Sequence, residues 1–134
     1  MNGGYIDWRA LFISTDGRIS RAAWWIGAGL LLTISALYEG LAGPTTRLAT
    51  FWFAYPALLF SAACVTWKRL HDRGRSGWWS VLVLIAFMAV WPLPHPVAAV
   101  FALPVLVWAG VELGLLPGEQ GANRFGPNPR AQPA

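Results

Sequence analysis

The chain has 134 residues, room for one domain; it is 56% hydrophobic and only 12% charged, with a net charge of +4 and a mean hydropathy of +0.47. A soluble domain carries about 25% charged residues, so this composition argues against a water-exposed globule and for an integral membrane protein. With no nucleic-acid-binding motif in the chain, the basic balance fits cations beside membrane spans and anionic lipid, not a nucleic-acid partner.

In chain order, the first element is short. Tyr5, Trp8 and Phe12 fall at near-helical spacing with Asp7 and Arg9 off that stripe, which predicts an interfacial helix over 5–13. In "FISTDGRISR" that follows, Asp16-Gly17 reads as a turn and Ser20 as the cap of the next helix.

Four apolar runs then predict an all-α, polytopic membrane fold. The first span covers about 22–43, with Glu39 near its end. It holds the roughly 20 apolar residues a crossing needs, and the 21 residues before it argue for an uncleaved span. The second covers about 48–67 and should kink at Pro56. Cys64 lies within it; a lone thiol forms no internal disulfide, and the sequence has no Cys/His cluster for a metal, so Cys64 reads as a small packing residue.

Between spans two and three stands "KRLHDRGRSGWW", 68–79. Span two should continue as helix to about Arg73, with Gly74 taking the left-handed stop position and Ser76 capping the third helix. Asp72 should balance Lys68 and Arg69, four and three positions back. Adjacent helical residues do not face each other, so His71 and Asp72 read as charge balance before catalysis. No Walker loop, HExxH motif or nucleophile with an evident base occurs, so no enzyme, cofactor or metal is expected.

The third run is apolar for only 14 residues and is extended to a span over about 78–93. Pro92, Pro94 and Pro96 separate it from the fourth span, about 97–116, and His95 reads as a turn residue between them. Pro104 and Glu112 lie in the fourth. The closing "PGEQGANRFGPNP", 117–129, is too rich in Pro and Gly for a helix. It is either a disordered tail or a segment anchored by Phe125 against the membrane face. The single membrane domain thus runs over 1–129, with 130–134 as tail.

Alternate non-membrane segments share a side in a four-span protein. One side then carries nine Lys and Arg residues and the other only Arg47. The positive-inside rule puts both termini and the central loop in the cytoplasm. Trp24, Trp25, Trp67, Trp78 and Trp79 fall at predicted inner ends, and Tyr38, Trp52 and Trp91 near outer ends, as two aromatic belts, while Trp108 falls inside a span.

Three segments together resemble the domain-of-unknown-function 805 (DUF805) family of small bacterial inner membrane proteins, over about 8–129. Its GRxSR element maps onto Gly17, Arg18, Ser20 and Arg21, with Trp24 or Trp25 following. Its R-L-H-D-x-G-x-S-G-W element maps onto Arg69, Leu70, His71, Asp72, Gly74, Ser76, Gly77 and Trp78. Its closing element maps onto Pro117, Gly118, Gly121, Asn123, Phe125, Gly126, Asn128 and Pro129. Phe125 stands where the family usually has Tyr, and Asn128 where it has Asp, so this chain offers neither a phenol nor a carboxylate at those positions. The resemblance implies a multi-span inner membrane protein with no assigned activity.

Independently of that resemblance, all three polar segments fall on one face and each carries arginine. Arg18, Arg21, Arg69, His71, Arg73, Arg75 and Arg124 are therefore the candidate ligand residues, for an anionic head group or a phosphorylated ligand. The competing expectations are transport of a small molecule or ion as a homo-oligomer, with Glu39 and Glu112 as the acids to suspect, and an accessory structural role beside another membrane protein.

Overall fold

The computed structural model describes residues 5–130; the ends of the predicted domain and tail, 1–4 and 131–134, lie outside the described residues. Among the described residues every regular element is helical: α1 (Trp8–Ile13), α2 (Arg21–Leu41), α3 (Pro44–Asp72), α4 (Trp79–Met88) and α5 (Pro96–Ala109), which passes directly into a π-helical segment, Gly110–Leu115. Asp7 caps α1, its Oδ1 accepting from Ala10 N at 3.1 Å. Ser20 caps α2 as expected, accepting from Ala23 N at 3.2 Å.

Two antiparallel hairpins, α2–α3 and α4–α5, make the bundle, and α1 lies against α3. The start of α2, the end of α3, the start of α4 and the end of the last helix therefore meet at one end of the molecule. The buried core is also concentrated there, in one cluster of Leu11, Ile19, Ala23 and Val65 and another of Leu70, Ala109 and Leu113. Cys64 is fully buried and packs as expected.

Of the four spans expected, three have the length for a crossing and the third, already the shortest apolar run in the sequence, does not. α2, α3 and Pro96–Leu115 are each long and apolar enough to cross a membrane, whereas α4 is a shorter apolar helix. Its 10 residues reach about 15 Å, half of a ~30 Å hydrocarbon core. α4 stops at Met88 because the chain turns over 89–95 ahead of Pro96; the Trp91–Pro92 peptide is cis and His95 N donates to Ala89 O at 3.1 Å. His95 caps α5, its Nδ1 accepting from Ala98 N at 3.4 Å. The turn is fastened to the other hairpin, for Trp91 Nε1 donates to Ser35 Oγ at 3.0 Å. α2 continues six residues beyond Ser35, about 9 Å, so the second hairpin stops short of the first.

Further details shift. α3 remains helical across Pro56 and begins at Pro44, whose fixed φ suits a first helical position. Ser76 does not cap α4: its Oγ accepts from Trp78 N at 3.4 Å, and the helix starts three residues later because Gly77 and Trp78 continue the turn. Trp108, as a residue inside a span, packs: it lies against the buried cluster of Leu70, Ala109 and Leu113, with its ring 5.7 Å from that of Trp79.

Candidate functional site

The end of α3 is built by its own sequence. Gly74 takes a left-handed φ of 68°, Gly74 N donates to His71 O at 3.0 Å and Arg75 N donates to Leu70 O at 2.9 Å. This paired closure is the one a glycine after the last turn provides. It leaves Arg69, His71, Asp72, Arg73 and Arg75 radiating from one helix end.

Asp72 is the hub. Its Oδ1 accepts from Arg18 Nε at 3.1 Å and lies 3.0 Å from Arg18 Nη2, while its Oδ2 pairs with Arg69 Nη1. The side chains of Arg18, Arg69 and Asp72 are 1%, 0% and 2% exposed, so one carboxylate is clamped between two guanidiniums away from water. Lys68 does not join, contrary to the spacing argument. Its Nζ reaches the carbonyls of Ala10 and Leu11, at 2.9 Å for the latter, because the short α1 leaves its last carbonyls without helical partners.

The other donors converge on the end of the last helix, where carbonyls also lack helical partners. Arg69 Nε donates to Leu113 O at 2.8 Å, Trp25 Nε1 to Gly114 O at 3.0 Å, and Arg21 Nη1 to Leu115 O at 2.7 Å. Arg69 Nη2 donates to Leu116 O at 2.7 Å and Arg73 Nη1 to Pro117 O. Five consecutive carbonyls are thus met by side chains from α2, α3 and the Arg73 that follows α3, and the cations lie at the negative end of the helix dipole.

The closing segment is ordered by the same device. Arg18 donates to Glu119 O at 2.7 Å, Gly121 O at 2.8 Å and Gly126 O at 3.3 Å. Glu119 N donates to Asp72 O at 2.8 Å, and a paired bridge joins Asn123 and Gly126. Asn123 Nδ2 donates to His71 O at 2.9 Å. The Phe125 ring stacks on His71 with centroids 3.8 Å apart and planes at 5°. His71 Nδ1 is 3.1 Å from Gly17 O, so the imidazole joins the first and last motifs. Gly118 packs against Asp72 so closely that a Cβ there would enter the carboxylate. Among the described residues Asn128 makes one local bond, accepting from Arg130 N at 2.9 Å, which asks for no carboxylate.

The arginines therefore divide. Arg18 and Arg69 have their guanidinium groups occupied within the protein. Arg73 and Arg75 share Glu112 Oε1 at 3.1 and 2.7 Å, and Arg75 also sits 5.8 Å over the Trp108 ring. Arg21 and Arg124 are exposed, and the Arg75 side chain is 43% exposed, so these three keep donors on the surface. Pro117 and Pro129 flank the closing segment, and Gly17, Ser20, Ser76, Gly77 and Trp78 shape the turns around it. Glu39, at the opposite end, pairs with Arg47 at 2.9 Å.

Sequence reasoning gave no role to Glu119 or the carbonyls of 113–117, and read Trp25 as a belt or motif aromatic, not as a hydrogen-bond donor to the last helix. Carbonyls leave no residue-type signature, and Trp25 reads equally well as a belt residue. The one available signal was the count of arginines, which exceeds that of the acids near them in the sequence.

The family model described as "Protein of unknown function (DUF805)" matches residues 12–127. The Escherichia coli (strain K12) protein named "Uncharacterized protein YiiR" is 38% identical over 122 residues, covering 84% of each chain. "Inner membrane protein YhaH" of the same strain is 36% identical over 69 residues, 52% of this chain and 43% of that one. No solved structure matches the chain. The chain belongs to the DUF805 family, and its apolar helices and the inner membrane relative identify a membrane protein.

Proposed function

We propose that this DUF805 protein is a non-enzymatic module of the bacterial inner membrane whose motif end faces the cytoplasm and holds an anionic head group. The carrying observation is the division of the arginines. Arg18 and Arg69 close the bundle, while Arg21, Arg75 and Arg124 keep guanidinium donors at the surface of that end. Guanidinium presents paired donors matched to phosphate oxygens, and anionic lipid of the inner leaflet is the abundant phosphate at that level. The two-hairpin arrangement supports a common side for both termini, since the first, central and last motifs bond to one another.

The geometry around His71 supports a non-catalytic role. Its ring is covered by Phe125 and its Nδ1 is met by Gly17 O, while Asp72 is held by two arginines. An accessory structural role is the second reading, favoured by the burial of Arg18, Arg69 and Asp72. Transport draws less support, since Glu39 and Glu112 are each bound by arginine and neither lines the large cavity between the helices.

The test is binding to vesicles with and without anionic phospholipid, using purified wild type and an Arg75→Ala/Arg124→Ala variant. A preference for anionic vesicles that the variant loses supports the reading. Equal binding by both proteins removes it.

A further inference from the structure

The bundle is tight at its motif end and hollow above it. A cavity of about 760 Å³ lies among α2, α3, α4 and α5, within the range of roughly 300–1,000 Å³ for small-molecule sites. Along α2 its lining runs from Trp24 to Ser35, 11 positions on, or about 16 Å. That is about the depth of one leaflet, half of a ~30 Å hydrocarbon core. The lining is almost wholly apolar, and neither an acid nor a base is part of it.

Two features indicate that the space is occupied by something other than this chain. Small residues at helix interfaces normally let backbones approach. Gly29 of α2 and Gly110 at the start of the π-helical segment both line the cavity, yet a Cβ on either would meet nothing within 4 Å. The second feature is polar. Trp24 lines the cavity near the motif end, and its Nε1 is buried with no hydrogen-bond partner among the described residues. A buried indole N–H ordinarily has an acceptor.

We infer that the cavity holds the hydrocarbon tails of an ester-linked phospholipid, with the phosphate beside Arg21 and with the Trp24 indole, whose Nε1 is closed off from the cavity here, turning to donate to an ester oxygen. Arg21 is three residues before Trp24 on α2 and so is its neighbour on the same helix face. It is exposed, and its bond to Leu115 O occupies only one terminal nitrogen. The tails point toward the Trp91–Ser35 bridge. That bridge and the arginine-held end of the last helix bracket the cavity, so a second spanning helix, about 30 Å long, is too long to lie in it. A phospholipid's tails match the length, the apolar lining and the lone donor together.

This inference rests on the head-group reading for the phosphate but not for the tails, and the experiment separates them. Native mass spectrometry from mild detergent compares wild type with Gly29→Leu, Trp24→Phe and Arg21→Ala. Gly29→Leu fills the cavity while adding a better helix former where space is free. The expected result is one phospholipid retained by wild type, lost in Gly29→Leu and reduced in Trp24→Phe. Arg21→Ala should keep a lipid but lose the preference for an anionic one. Retention by wild type and Arg21→Ala without head-group preference would sink the head-group reading and leave the tail site standing. Lipid-free wild type, or equal retention in wild type and Gly29→Leu, overturns the inference; circular dichroism and size-exclusion profiles matching wild type establish that Gly29→Leu has folded.

Discussion

Arg18 and Asp72 are 54 positions apart in the chain, yet the guanidinium and carboxylate meet at 3.0 Å with both side chains almost wholly buried. Arg69 takes the other carboxylate oxygen. Removing one partner of a buried ion pair leaves an uncompensated charge and costs about 3–5 kcal/mol. Asp72→Asn should therefore be among the most destabilising single changes in the chain, in that range, as measured by thermal or denaturant unfolding in detergent. A loss under about 1 kcal/mol would mean that water reaches the two guanidiniums, as at an exposed pair.

Glu112 neutralises two arginines at once, and its removal has an opposite functional sign. The Arg73 and Arg75 side chains are 20% and 43% exposed, so they can turn to solvent when the carboxylate is lost. Glu112→Gln should cost only about 1 kcal/mol and should increase retention of anionic lipid, because Arg75 is released toward the surface. Vesicle binding and unfolding measured on the same preparation check both halves. Weaker binding by Glu112→Gln would place the carboxylate in a supporting role for the head group.

Local features of this fold were legible in the sequence because they are set by neighbouring residues. Ser20 reads as a cap, Gly74 as a left-handed stop, and Pro92 to Pro96 as a break, and each acts within a few residues of itself. The misreadings share another cause. Lys68 and Asp72 stand at a spacing that favours pairing, but tertiary partners won: unsatisfied carbonyls of α1 for the lysine, Arg18 for the aspartate. The length of α4 was misjudged because apolar composition continues past Met88 into a turn. The order of residues 117–129 was invisible because it comes from backbone acceptors, which every residue type carries.

Gly118 lies where the closing segment passes over Asp72, with no room for a side chain against the carboxylate. Gly118→Ala should push the segment outward and weaken the Arg18 contacts to Glu119, Gly121 and Gly126 together. An overpacked site of this kind costs about 1–3 kcal/mol. The sharper readout is limited proteolysis. Cleavage within 119–130 should accelerate in Gly118→Ala while the helices remain protected, and an unchanged digestion pattern would show that the segment is held elsewhere.

The stack of Phe125 on His71 carries a prediction about substitution type. An aromatic pair contributes about 0.5–1.5 kcal/mol beyond its buried area. Phe125→Tyr keeps the ring, and Phe125→Ala removes it and uncovers His71. Hydrogen exchange at the amides of Asn123 and Gly126, which bond to each other at 3.0 Å, should speed up in Phe125→Ala and stay unchanged in Phe125→Tyr. Unchanged exchange in Phe125→Ala would assign the ordering to Arg18 alone.

The unequal hairpins predict a gradient of water access. Thr45 is exposed at the turn between α2 and α3, Ala122 is exposed at the motif end, and Leu93 is 84% exposed in the shorter hairpin's turn. Cys64 is fully buried, so a cysteine introduced elsewhere is the reactive one. With the motif end cytoplasmic, a membrane-impermeant thiol reagent should label Thr45→Cys in intact cells and Ala122→Cys only after permeabilisation. Leu93→Cys should label from the same side as Thr45→Cys but more slowly. The Trp91–Ser35 bond sets its turn level with a point on α2 six residues, about 9 Å, short of that helix's end. Labelling of Leu93→Cys as fast as Thr45→Cys would mean that the bilayer thins to meet the short hairpin. Labelling of Ala122→Cys in intact cells would invert the topology and move the arginine face to the outer leaflet.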